Sequence, residues 1–113
     1  MKPRDAMLGT VLALLVPAGG TTQDVADKVV LNNEAVSVVE YTFPPGFCGE
    51  EHAVIANEFA YVIEGEFAVV TKGRGQRVVR QGELEYASKG TVHYSLNEAE
   101  KPARVLVVLL KER

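Results

Sequence analysis

The chain has no tryptophan, one cysteine and only two histidines among its 113 residues. A single cysteine excludes an intramolecular disulfide framework and any metal cluster built from cysteine alone. Basic residues do not predominate either: 12 Lys and Arg against 15 Asp and Glu leave a formal charge of -3. Nucleic-acid binders and anionic-membrane binders need a basic footprint, so neither partner is expected. No apolar run approaches the roughly 18 residues of a membrane-spanning helix. Phosphate loops and nucleophile elbows are also missing. Gly73-Arg74-Gly75 lacks the following helix and the lysine of a phosphate loop, and no Gly-x-Ser-x-Gly occurs. No Ser-His-Asp arrangement is supported, which removes acyl transfer from the expected chemistry. What is present is an ordinary globular mixture, 47% hydrophobic and 24% charged, of a length that allows one domain.

Residues 1–20 read differently from the rest. Lys2 and Arg4 precede an apolar stretch from Ala6 to Val16, and Pro17-Ala18-Gly19-Gly20 then supplies small residues. That order predicts a secretory signal, cleaved after Ala18 or Gly20, with periplasm or the exterior as destination; without cleavage the chain would be cytoplasmic. The alternative is a helix buried against the domain, disfavoured because the run is apolar all round rather than along one face. Eleven residues are too few to anchor a helix across a bilayer, so no stable membrane insertion is expected after processing. The expected domain is therefore 21–113.

Beyond residue 28 the pattern is one of short β segments punctuated by glycine turns. Strands are expected at 29–31, 36–43, 52–55, 59–63, 67–71, 76–80, 84–87, 92–96 and 104–111, where β-branched and aromatic residues cluster. Pro44-Pro45-Gly46, Glu64-Gly65-Glu66, Lys72–Gly75, Gln81-Gly82 and Ser88-Lys89-Gly90 separate them. Nine short strands without a convincing helix predict an all-β sandwich or small barrel. The last strand, Val105–Leu110, is apolar on both faces and must be covered on both. A homodimer formed through outer sheet faces would cover it.

The two histidines stand out as candidate chemistry. His52 follows a glycine-bearing approach, Gly46–Glu51; Glu58 comes six residues later, and His93 lies in a third strand. Two imidazoles and a carboxylate brought together in a small barrel would make a three-ligand metal site with open positions for water, dioxygen or a chelating substrate. Solvent-facing histidines, or core histidines satisfied by carbonyls, are the plainer alternatives.

These residues fall into a recognisable spacing. Gly46, five residues, His52-Ala53-Val54, three residues, Glu58, six residues and Gly65 form one motif; Gly82, five residues, Ser88-Lys89-Gly90, two residues, His93, three residues and Asn97 form a second. In both, the chain resembles the cupins, over roughly residues 36 to 110. Val54 stands where the first cupin motif has a second histidine, and Ser88 where the second has a proline. The resemblance implies a small double-stranded β-helix, or jelly-roll barrel. It also implies His52, Glu58 and His93 as surviving ligands for a divalent metal (Fe, Mn, Zn or Ni). Glu58 would then double as a catalytic proton acceptor in a dioxygenase- or isomerase-type reaction on a small molecule. Positions 52 and 54 share one strand face, so Val54 is expected to point inward beside His52. That favours the alternative: a non-catalytic barrel binding a small apolar or carbonyl compound, or a structural one, with a vestigial metal site.

Cys48 is expected to be a small buried hydrophobe rather than a fourth ligand. Phe59 and Tyr61 should face outward, with Ala60 and Val62 inward alongside Glu58. Glu50, Glu51 and Lys89 would flank the mouth, as a solvated turn or as selectors of a charged ligand. Phe43, Phe47, Tyr86 and Tyr94 are expected chiefly to pack.

Overall fold

The computed structural model describes residues 24–112, so the expected signal at 1–20 lies outside the described residues. Nine strands follow one another: β1 (Ala26–Asn32), β2 (Val36–Phe43), β3 (His52–Ala53), β4 (Asn57–Glu64), β5 (Glu66–Thr71), β6 (Gly75–Arg80), β7 (Leu84–Ala87), β8 (Val92–Leu96) and β9 (Ala103–Leu110). They form a five-stranded sheet in the order β1-β2-β9-β4-β7 and a four-stranded sheet in the order β3-β8-β5-β6. All pairings are antiparallel. This is the expected all-β double-stranded β-helix.

Strict alternation explains why the sheets face each other. Along β2 every second residue is buried (Ser37, Val39, Tyr41, Phe43), and along β9 the same holds for Ala103, Val105, Val107 and Leu109. These side chains meet Phe67, Val69 and Val79 of the other sheet in one core. Tyr41, Phe43 and Phe47 stack in sequence, with ring centroids 6.0 and 4.9 Å apart. Full burial of such a side chain contributes on the order of 1.5–3 kcal/mol, so this stack is a principal source of cohesion between the sheets.

Two turn residues hold the strands to this register. Gly65, between β4 and β5, has φ +79°, and a Cβ there would lie 2.6 Å from the carbonyl oxygen of Pro102. Only glycine fits both demands. Asn97, 1% exposed, donates through Nδ2 to the carbonyls of Phe43 (3.0 Å) and Lys101 (2.9 Å) and accepts from the Ala99 N–H at 2.9 Å. One buried amide thereby ties the end of β2 to the loop between β8 and β9.

The structure corrects the sequence reading in detail. β1 is longer than expected, with a bulge between Val29 and Leu31. β3 is shorter, ending at Ala53, because Val54 leaves the ladder: its N–H donates to Thr91 and its carbonyl accepts from Gly90, both at 2.8 Å. Cys48 is exposed, not buried. It pairs with Leu96 in an isolated bridge at the edge of the loop, outside the core.

Candidate functional site

Three strands place the candidate residues. His52 of β3 and His93 of β8 are direct cross-strand partners in the four-stranded sheet, so their side chains share its inner face. Glu58 comes from β4 of the opposite sheet, between Ala87 and Leu109. Phe59 and Tyr61 then point outward while Glu58 and Val62 point inward, as the alternation requires. All three polar residues line a cavity of about 30 Å³ between the sheets, whose remaining wall is largely apolar, with Tyr41 and Phe43 prominent. That volume holds about one or two water-sized groups.

The polar groups here are close together and poorly satisfied. The two imidazoles lie edge to face, with centroids 4.9 Å apart. His93 Nε2 is 3.7 Å from Glu58 Oε1, beyond hydrogen-bond reach. His52 Nδ1 lies 2.9 Å from the carbonyl of Glu50. A carbonyl can only accept, so Nδ1 carries a proton, and in the neutral ring Nε2 is then the acceptor. That Nε2, His93 Nδ1 and the Tyr41 hydroxyl are all buried without a hydrogen-bond partner. Leaving such groups unpaired costs about 1–3 kcal/mol each, a cost that a bound polar molecule would offset.

Burial also sets their charge. It pushes the Glu58 carboxyl up to about 7, because leaving water penalises the charged form. Burial lowers His93 to about 4, and the neighbouring His52 adds to the effect. The Tyr41 hydroxyl is raised by burial, then by the charges of Asp27 and Glu58. His93 and Glu58 therefore do not form an ion pair despite their proximity. Near neutrality the site holds a neutral imidazole, a carboxyl at its midpoint and a protonated phenol.

This arrangement does not fit a resident metal ion. Among the described residues no three His, Cys, Asp or Glu side chains form a group able to hold one. Ligand histidines almost always donate their second nitrogen to a neighbour, and His93 Nδ1 has none. Val54, at the position of the missing histidine, is buried but does not line the cavity.

Sequence reasoning missed Tyr41 and Glu85, and it marked Asn97 by spacing without a role. Tyr41 was legible in principle, since it shares the inward face of β2 with Val39 and Phe43. Glu85 lines the cavity and is held by Arg77, which also donates to the Leu84 carbonyl. Glu50, Glu51 and Lys89 do not line it; all three are exposed, and Lys89 bridges to Glu112 at 2.9 Å.

A family model for the cupin domain matches residues 39–109. No curated protein sequence matches the chain. Among solved structures it is similar to KdgF from Halomonas sp., with 23% identity, a TM-score of 0.70, and coverage of 79% of this chain and 82% of that one. The polyketide cyclase RemF from Streptomyces resistomycificus gives 22% identity and a TM-score of 0.72, covering 87% and 70%. A cupin domain from Bordetella pertussis gives 21% and 0.67, covering 83% and 100%. Similarity at this level establishes the fold, and one fold serves unrelated functions.

Proposed function

The chain belongs to the cupin family, and from that premise we propose that it is a non-catalytic small-molecule-binding cupin whose metal site is vestigial. The observation that carries this reading is the set of buried, unpartnered polar atoms, His52 Nε2, His93 Nδ1 and Tyr41 Oη, around a largely apolar cavity. A carbonyl compound of a few heavy atoms suits that chemistry. The Tyr41 hydroxyl donates, as does the Glu58 carboxyl in its protonated form, His52 Nε2 accepts in the neutral ring, and the aromatic wall covers the apolar part. The small cavity sets the size limit.

A second reading keeps Fe, Mn, Zn or Ni on His52, Glu58 and His93, with Glu58 as the proton-transferring group. One observation favours it: the Glu50 carbonyl sets the His52 tautomer with Nε2 bare, as an outer-shell partner does for a metal ligand. Elemental analysis of protein purified without a metal-binding tag, alongside His93→Ala, separates the two. The binding reading expects no stoichiometric metal in either sample, even after each ion is supplied and the excess dialysed away. About one equivalent in the wild type, lost in His93→Ala, would restore the metal centre. Short carbonyl compounds titrated against the histidine ring protons by NMR then test the ligand class directly. The same reading takes the working species as an exported homodimer. Export rests on residues 1–20 and is tested by an intact mass beginning at residue 19 or 21.

A further inference from the structure

β7 turns its side chains against the usual pattern. Leu84 and Tyr86 are exposed, while Glu85 and Ala87 point inward and line the cavity. A strand of a half-buried antiparallel sheet normally turns apolar residues in and polar residues out. Glu85 sits inside all the same, its side chain only 15% exposed. In the register it lies beside Ala60 of β4, whereas Glu58 lies beside Ala87. The carboxyl groups of Glu58 and Glu85 therefore occupy successive inward levels of one sheet wall, about 7 Å apart along the strands. Arg77 of β6 holds Glu85 from the other sheet: its Nη1 donates to Oε1, and also to the Leu84 carbonyl at 3.3 Å. The guanidinium itself stands half in water. Oε2 keeps its capacity to accept, so the cavity has a second polar end besides the one formed by Tyr41, His52, Glu58 and His93.

Resting on the small-molecule reading above, we propose that Glu85 is a specificity-determining residue of this cavity and that the ligand is a short hydroxycarbonyl compound. Its carbonyl oxygen lies at the Tyr41–Glu58 end and its hydroxyl donates to Glu85. Three features lead there. A carboxylate paired with a guanidinium can only accept, so the ligand group facing it must be a donor. Arg77 already balances its charge, so a neutral hydroxyl suits the position and a ligand carboxylate would be repelled. Length agrees as well: a spacing of about 7 Å, with a hydrogen bond of about 2.8 Å at each end, takes a hydroxyl on the carbon next to the carbonyl or one further on. A ketone of the same size without the hydroxyl would displace water from Glu85 and put no hydrogen bond in its place.

Titration of the full chain with hydroxyacetone and with butanone, in which a methyl replaces the hydroxyl, tests this through the histidine ring protons by NMR. Wild type is expected to bind hydroxyacetone roughly tenfold more tightly, the worth of one hydrogen bond to a charged acceptor. Glu85→Leu should bring the two affinities within about twofold by weakening hydroxyacetone alone. Glu85→Gln, whose neutral amide accepts more weakly, should reduce the preference and serves should Glu85→Leu fold poorly by circular dichroism. Arg77→Met leaves the carboxylate in place and should keep the preference. Equal affinities in wild type would overturn the role of Glu85 while leaving the carbonyl-binding reading standing. Binding of neither compound would overturn both. A preference that survives in Glu85→Leu would overturn the assignment, because another group would be reading the hydroxyl. So would a parallel loss of both compounds in Glu85→Leu, or loss of the preference in Arg77→Met, since the pair would then act only as a latch between the sheets.

Discussion

Glu58 and His93 oppose each other in their effect on stability, and single substitutions should uncover effects that cancel in the wild type. In the unfolded chain Glu58 ionises near 4.5 and His93 near 6.5. Between those values the unfolded pair is carboxylate and imidazolium. In the folded chain, where burial moves the two to about 7 and about 4, it is carboxylic acid and neutral imidazole. Both states hold one proton, so folding takes up none from this pair and its contribution is nearly flat from pH 4.5 to 6.5. Taken singly the signs differ. For Glu58 the folded state holds the proton more tightly, so its contribution to stability falls as pH rises from 4.5 to about 7. For His93 the unfolded state holds the proton more tightly, so its contribution falls as pH drops from 6.5 to about 4. Each displacement corresponds to about 3 kcal/mol, approached at about 1.4 kcal/mol per pH unit. Urea unfolding at intervals between about pH 4 and 8, with chelator present, reads both. Relative to wild type, Glu58→Gln should gain stability as pH rises and His93→Gln should gain it as pH falls. Curves parallel to wild type throughout would refute the argument. Loss of stability in Glu58→Gln with rising pH would show instead that the two groups form an ion pair.

Three further outcomes follow from the same geometry. Tyr41→Phe removes a buried hydroxyl that has no partner, so thermal unfolding should change by less than about 0.5 kcal/mol or improve, whereas carbonyl-compound binding followed by NMR should weaken. Asn97→Ala strips the donor from the Phe43 and Lys101 carbonyls and should cost about 2–3 kcal/mol in urea unfolding, with the denaturant slope unchanged. Gly65→Ala combines a left-handed φ with a 2.6 Å approach to the Pro102 carbonyl and should lower stability by about 2 kcal/mol or more, read as a drop in melting temperature.

Much of the architecture was legible because β structure writes itself into sequence with a period of two. The alternation in Val36–Phe43 and the glycine turns after it placed nine strands in order, and β4 and β5 fell within a residue or two of their expected starts. The motif spacings marked His52, Glu58 and His93, and the fold does bring those three to one cavity. Cys48 was misread because burial of a small residue in an irregular loop depends on where that loop docks, which no local pattern records. The Arg77–Glu85 pair was invisible for a related reason, since β6 and β7 belong to different sheets and meet only where the sheets approach.

Sequence alone determined the β class, the succession of strands along the chain and the residue types available for chemistry, because these depend on local alternation, turn residues and motif spacing. Tertiary structure decided the state of those residues. Burial between two sheets makes Glu58 an acid and His93 a neutral base, and the Glu50 carbonyl chooses the tautomer of His52. Desolvation and hydrogen-bond geometry act across chain-distant neighbours, so the same three residues that spell a metal motif in sequence form, once folded, a buried polar cluster facing a small, largely apolar cavity.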